Sequence, residues 1–173
     1  GLLVKNTNLN VIIASRTGSA SFSETEAMKQ IKLDVGSESA IAEIPLGATV
    51  VNLTEATPPS FVERLLQNNC LFLDCSATPE YVDSLENVMT RNRSGNGIIC
   101  VGTAPGLSTL MANTVAQYTD VSTLHIGIQL GMGRHFGKAA TTWFYKSLGQ
   151  PFSISPDMYA QPGKIKRTFS FGE

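Results

Sequence analysis

Several strand-like runs of this chain stop on residues able to grip or activate a ligand. The run LNVIIA (9–14) ends on Ser15 and Arg16, a small hydroxyl followed by a guanidinium. At the end of a buried parallel strand, an acid would accept hydrogen bonds from a ribose 2′-OH, whereas an Arg accommodates a 2′-phosphate. The pair points to NADP, with NAD the lesser choice; the plainer alternative is an ordinary polar strand exit. Asp34, closing IKLDV, can reach an adenine amino group or cap the next helix. Asn52 and Thr54 in VVNLTEATPP could line the nicotinamide side of a cleft, or hold a turn with the prolines. Asp74, Cys75 and Ser76 close LFLDCS. A nucleophilic Cys75 would need a base, a cation or a helix N-terminus, and no histidine is near it in sequence.

Two glycine-rich segments follow. In GTAPGLSTLMA (102–112), Gly102 and Gly106 flank Pro105. The backbone should turn there onto a helix N-terminus whose N–H groups favour a carboxylate or phosphate. In GMGRHFGKAA (131–140), the spacing GxGxxxG imitates a phosphate-binding turn. No apolar strand ending on an acid or Arg follows at the expected distance of roughly 20 residues. Arg134, His135 and Lys138 are instead the best set for polarising a carbonyl or imine and relaying a proton. A hydrogen-bonded surface histidine is the alternative.

The elements that must position these groups alternate regularly. Strands are expected at 9–14, 28–35, 48–54, 71–75 and 97–102. Helices are expected after Pro58-Pro59, after Pro79 and from Pro105 to residue 118, with two helical turns in ESAIAEIP and a loop or a degraded short helix in TGSASFSETE. That rhythm over 9–118 is the signature of right-handed βαβ units and a parallel sheet. Beyond Asp120 the character changes: VSTLHIGIQL reads as a longer strand, KAATTWFYKSLG as an amphipathic helix and KIKRTFSF as an alternating strand. The division is 1–120 for a partial NAD(P)-binding domain and 121–173 for the start of an α+β substrate and dimerisation domain.

Composition narrows the field. Charged residues make up 16% of 173 and hydrophobic ones 42%; the charged share lies below the ~25% usual for globular proteins, as strands buried on both faces would require. A net charge of −1 gives no attraction for nucleic acid or an anionic membrane. Three cysteines and two histidines, without CxxC or HxxxH spacing, argue for reduced thiols and against a structural metal. No apolar run approaches the ~18 residues of a membrane span. The expectation is a cytoplasmic protein with a small-molecule substrate.

Taken in order, VIIASRT, IKLDV, VVNLTEATPP, LFLDCSA, GIICVGTAPGLSTLMA and GMGRHFGKAATTW resemble the saccharopine dehydrogenase-like (saccharopine reductase-type) oxidoreductases over nearly the whole chain. The resemblance implies a Rossmann-type doubly wound α/β sheet joined to an α+β domain, NAD(P)(H) as cofactor, and a homodimer. It implies that Ser15, Arg16 and Asp34 face the adenosine half of the cofactor. Asn52 and Leu53 would face its nicotinamide half, and Pro105, Gly106 and Leu107 the substrate at the domain junction. The function implied is hydride transfer to or from a small carbonyl, imine or amino-acid-like substrate. Saccharopine itself fits poorly: enzymes acting on it tend to carry an acid before the Pro-Gly and an Asp-His pair after it, and Ala104, Ser108 and Thr109 stand there.

The family opens with a strand and a GxGxxG-type turn, and no such pattern precedes Arg16. In the strand order 3-2-1-4-5-6, that first strand lies between those at Leu9 and Ala48. Without it, buried amides on both neighbours lose partners at about 1–3 kcal/mol each, against a domain's margin of about 5–15 kcal/mol. The expectation is a chain poorly stable alone, or one completed by a partner, without ordinary affinity for NADPH. A nucleotide-binding sensor or structural protein without turnover, and a truncated product that binds no cofactor, are the alternatives.

Overall fold

A computed structural model of the chain describes residues 2–18, 25–92, 96–118, 120–129, 141–142, 145–146, 148–155, 157–162, 164 and 168–171. The chain divides into two compact units, Gly1–Tyr118 and Thr119–Glu173.

The first unit is mixed α/β with short parallel sheets. A short helix α1 (Leu2–Asn6) leads to β1 (Val11–Ser15), which pairs in parallel with β2 (Met28–Lys32). A 3-10 helix (Glu38–Glu43) carries the chain to β3 (Thr49–Asn52). Helix α2 (Pro59–Gln67) then leads to β4 (Leu71–Asp74), and helix α3 (Pro79–Arg91) to β5 (Asn96–Ile98). β3, β4 and β5 form a three-stranded parallel sheet in that order, separate from the β1–β2 pair. Among the described residues, β1 and β3 therefore each pair along one edge only.

The core forms because α2 repeats its apolar residues at helical spacing. Phe61, Val62, Leu65 and Leu66 are all buried on one stripe and pack with Phe72 of β4 and with Leu85 and Val88 of α3. Burying each such side chain contributes about 1.5–3 kcal/mol relative to exposure. Pro59 starts α2 where a missing N–H does no harm. Asn69 ends it in the left-handed region (φ 55), where the Cys70 N–H reaches Leu65 O and the Asn69 N–H reaches Leu66 O. That pair of bonds satisfies carbonyls the helix would otherwise leave bare. Arg64 joins the 3-10 helix to α2 by donating to Glu38 O while stacking over Phe61. Leu33 and Ala40 join the same core, so β2 and the three-stranded sheet share one apolar centre.

Helices cover one face of the three-stranded sheet, the face carrying Val50 and Phe72. On the opposite face Val51 and Ile98 stay 51% and 53% exposed. Helix α4 (Leu107–Tyr118) buries none of its residues.

Several expected elements change shape. ESAIAEIP does form two helical turns before Pro45, of the tighter 3-10 kind at three residues per turn. The strand expected over 97–102 ends at Ile98. Continuing its register with β4 would bring the Cys100 N–H to Asp74 O; the Val101 N–H takes that place at 2.9 Å instead. Cys100, at φ 60, is thus the extra residue of a bulge. In the second unit, VSTLHIGIQL has no regular structure over 120–129. An alternating apolar pattern does not make a strand unless a neighbour accepts its backbone groups. The unit's described sheet is an antiparallel pair, β6 (Phe152–Ser155) with β7 (Met158–Ala160). KAATTWFYKSLG and KIKRTFSF lie partly outside the described residues. Of the latter, 168–170 are irregular.

Candidate functional site

Parallel strands present their carboxyl ends together, and the loops that follow them form the chemically richest part of the first unit. At the end of β1, Ser15 closes a tight turn. Its carbonyl and its Oγ both accept from the Gly18 N–H, at 3.2 and 3.1 Å, and the same carbonyl accepts from Leu33 N–H at 2.9 Å. Gly18 sits at φ +69, which glycine adopts without strain. The turn leaves Arg16 and Thr17 exposed. At the end of β2, Asp34 is exposed and its Oδ1 accepts from the Gly36 N–H at 3.0 Å. It shapes a turn and is not the cap of the 3-10 helix, a position held by Ser37.

A buried polar network locks the ends of β3 and β4. Asp74 is 0% exposed and accepts from Asn52 Nδ2, from the Ser76 N–H at 2.9 Å and from Ser76 Oγ at 3.1 Å. Asn52 Nδ2 also donates to Tyr81 Oη at 3.2 Å, and Tyr81 donates to Thr57 O at 2.8 Å. Asn52 Oδ1 accepts from Thr57 Oγ1 at 2.9 Å and from the Thr54 N–H at 3.4 Å. Both ends of the Asn52 amide are therefore committed inside the protein. Leu53, the next residue, is 79% exposed at the strand end. What this corner presents outward is Leu53 and main chain, not the Asn52 side chain.

Glu55 adds a clasp that sequence reasoning missed. Its carboxylate accepts from the Ala77 and Thr78 N–H groups, each at 2.9 Å, and from Thr78 Oγ1. It thereby occupies the N-terminus of α3, where a negative charge is favoured. Partial burial alone would raise the Glu55 pKa, but the Thr78 hydroxyl and the two backbone donors outweigh it and hold the group below its ordinary value. The sequence signal was an acid three residues after a strand-end Asn, which is too common to single out.

Neither thiol here is primed for attack. Partial burial, then the Asp74 carboxylate, pushes the Cys75 thiol up; the same two causes and Glu86 push up Cys100. Cys75 donates weakly to Val101 O at 3.8 Å. Among the described residues no group of His, Cys, Asp and Glu is placed to hold a metal ion, and no helix is long and apolar enough to cross a membrane.

Burial, followed by Asp74, drives the Tyr81 hydroxyl up from 10.0 to about 12. An acid with a raised folded pKa keeps its proton in the native state after the unfolded chain has lost it. The associated stability is whole below pH 10 and declines as pH climbs towards 12. The ring is only half shielded, so the slope should fall short of the full ~1.4 kcal/mol per pH unit. Urea midpoints measured across this window should fall for the parent chain and fall less steeply for Tyr81→Phe. Parallel slopes would show that Tyr81 does not titrate in this way.

The glycine-rich loop after β5 turns back on itself. Ala104–Pro105 is cis, Gly102 and Gly106 form a bridge, and α4 begins at Leu107. The Leu107 and Ser108 N–H groups donate to Gly102 O and Thr103 O, both at 2.9 Å. The free N–H groups expected for an anion at this helix start are thus largely taken by the loop itself. Pro105 and Gly106 are half-buried and Leu107 is exposed.

The structure brings Ser15 and Arg16 to one strand end and Asn52 and Leu53 to another, with Asp34 beyond β2. Arg134, His135 and Lys138 lie outside the described residues. A surface cavity of about 260 Å³, lined by Asn10, Val11, Ile12, Glu26, Ala27 and Lys29, lies at the amino ends of β1 and β2, away from all of these groups. Comparisons with protein-family models, with curated proteins and with solved structures return no match.

Proposed function

We propose that the chain carries the adenosine-facing portion of an NADP-dependent oxidoreductase of the saccharopine dehydrogenase-like type, on a Rossmann-type sheet. The reaction is hydride transfer to or from a small carbonyl, imine or amino-acid-like compound. The observation that supports this most is the end of β1. Arg16 leaves a parallel strand at its carboxyl end, exposed, on a turn held by Ser15 and Gly18, without a carboxylate partner among the described residues. A guanidinium so placed suits a phosphate monoester, which it binds through paired N–H donors. The nicotinamide chemistry belongs to the cofactor; Leu53 and the adjoining main chain are what β3 offers it for packing.

Arg16→Asp is the direct test. It removes the phosphate partner and supplies an acid for a ribose 2′-OH, so NADPH binding should weaken by about tenfold or more relative to NADH. Fluorescence titrations with both nucleotides read the ratio. A ratio that does not move removes the assignment of NADP. Turnover is tested separately, by nicotinamide absorbance against amino and keto acids.

One observation favours the reading of a nucleotide-binding protein without turnover. At the ends of β3 and β4, the polar side chains Asn52, Thr57, Asp74, Ser76 and Tyr81 are bonded to one another, and none is left to act as an acid or base. Tight nucleotide binding with no oxidation by any tested acid would favour that reading over the enzyme.

A further inference from the structure

We infer that Lys32 is the second cation of a phosphate-monoester subsite at the ends of β1 and β2, acting with Arg16 on the 2′-phosphate of an adenosine. The inference rests on the NADP reading and extends it to a residue on the neighbouring strand. Lys32 is the last residue of β2 and lies in register with Ser15, so both side chains leave the same face of the sheet. The turn that carries Arg16 folds over it. A Cβ placed on Gly18 would stand 3.0 Å from the Lys32 Cβ and 3.4 Å from its Cα. The Lys32 stem therefore starts directly beneath the Ser15–Gly18 turn, and the residue is exposed.

Among the described residues neither Arg16 nor Lys32 has a carboxylate partner. Asp34, two residues past Lys32, turns its Oδ1 onto the Gly36 N–H. The Ser15 hydroxyl accepts from Gly18 and keeps its own proton to donate. A fork-shaped guanidinium and a hydroxyl on the Ser15–Gly18 turn, with an ammonium carried by the strand end beneath it, would match the three acceptor oxygens of a phosphate monoester better than a carboxylate.

The probes are 2′,5′-ADP and 5′-AMP, titrated against the full chain by calorimetry at low, fixed ionic strength. They share the adenosine and differ at the ribose 2′ position. Lys32→Ala is expected to weaken 2′,5′-ADP by about tenfold, the loss typical of one charge-assisted contact, and to leave 5′-AMP unchanged. Lys32→Arg should recover most of the affinity. Lys29→Ala removes the same charge near the other end of β2, opposite Ile12, and should change neither ligand. If 2′,5′-ADP weakens with Arg16→Ala alone and not with Lys32→Ala, the inference is wrong while the NADP reading stands. If Lys29→Ala weakens it as much as Lys32→Ala, the effect is general charge and the subsite is overturned. A chain that binds 5′-AMP as tightly as 2′,5′-ADP overturns both, as does one that binds neither.

Discussion

Asn52→Leu should destabilise the first unit by about 3–5 kcal/mol, a large share of a domain's margin of about 5–15 kcal/mol. The side chains are close in size, so the loss is one of hydrogen bonds. The Asp74 carboxylate, buried with no cation among its described partners, would lose the amide that donates to it. Tyr81 Oη would lose a donor and Thr57 Oγ1 its acceptor. A buried charge left short of partners is far more costly than the same charge never buried. That reasoning makes a second, sharper expectation. Asn52→Leu combined with Asp74→Leu removes both sides of the main bond, so the double variant should be no less stable than Asn52→Leu alone. Urea denaturation of the two singles and the double closes the cycle. Additive losses would show that Asn52 and Asp74 contribute independently and that the network is not a unit.

The network also shows where sequence reasoning stops. Asn52 was legible as a strand-end amide, and both of its readings, ligand contact or turn holder, were open. The structure uses the amide inwardly because Asp74 ends the adjacent strand in register with it, and Tyr81 arrives from the third residue of α3. Neither partner is near Asn52 in sequence. Their meeting depends on the β3–β4 register and on how α3 crosses it, which periodicity does not encode. Short α/β units were legible for the opposite reason. Pro59 and Pro79 mark helix starts, and LFLD and TVVN are apolar runs too short for helices. Local signals of that kind need no knowledge of distant partners.

Residues 120–129 and Cys100 show the same limit in other forms. Alternation in VSTLHIGIQL resembled a strand, yet a strand exists only where a neighbour takes its hydrogen bonds. GIICVG was apolar throughout, so nothing in it announced a bulge. The bulge follows from the loop beyond it, which must bring Gly106 back against Gly102 and so redirects the chain at Cys100. Among the described residues of the first unit, the β1–β2 pair and the three-stranded sheet share a core but no rung.

Gly106→Ala should break that loop. Gly106 stands at φ +129, a region L side chains rarely adopt, and a Cβ there would lie 2.6 Å from Cys100 O and closer still to Gly102 O. Both obstacles are backbone carbonyls, so no side-chain rotation relieves them. The strain and lost bonds amount to about 3 kcal/mol or more. Where that penalty appears depends on packing. Helix α4 buries nothing, so the chain can escape the clash by opening residues 102–108 while the core around Phe72 and Leu65 stays folded. The effect should therefore be local: the Leu107 and Ser108 amides, now bonded to Gly102 O and Thr103 O, should exchange about 100-fold faster or more, since each ~1.4 kcal/mol is tenfold. Core amides such as Phe72 should hold their protection. Gly47→Ala is the comparison, because Gly47 also has positive φ (+69) but has nothing within 4 Å of its would-be Cβ. Its penalty should be about 1 kcal/mol, from backbone conformation alone. Equal, small effects at both positions would mean that Gly106 is not pressed against Cys100 and Gly102. A loss of protection at Phe72 in Gly106→Ala would mean instead that the loop and the core unfold as one body, with the β5 bulge as their joint.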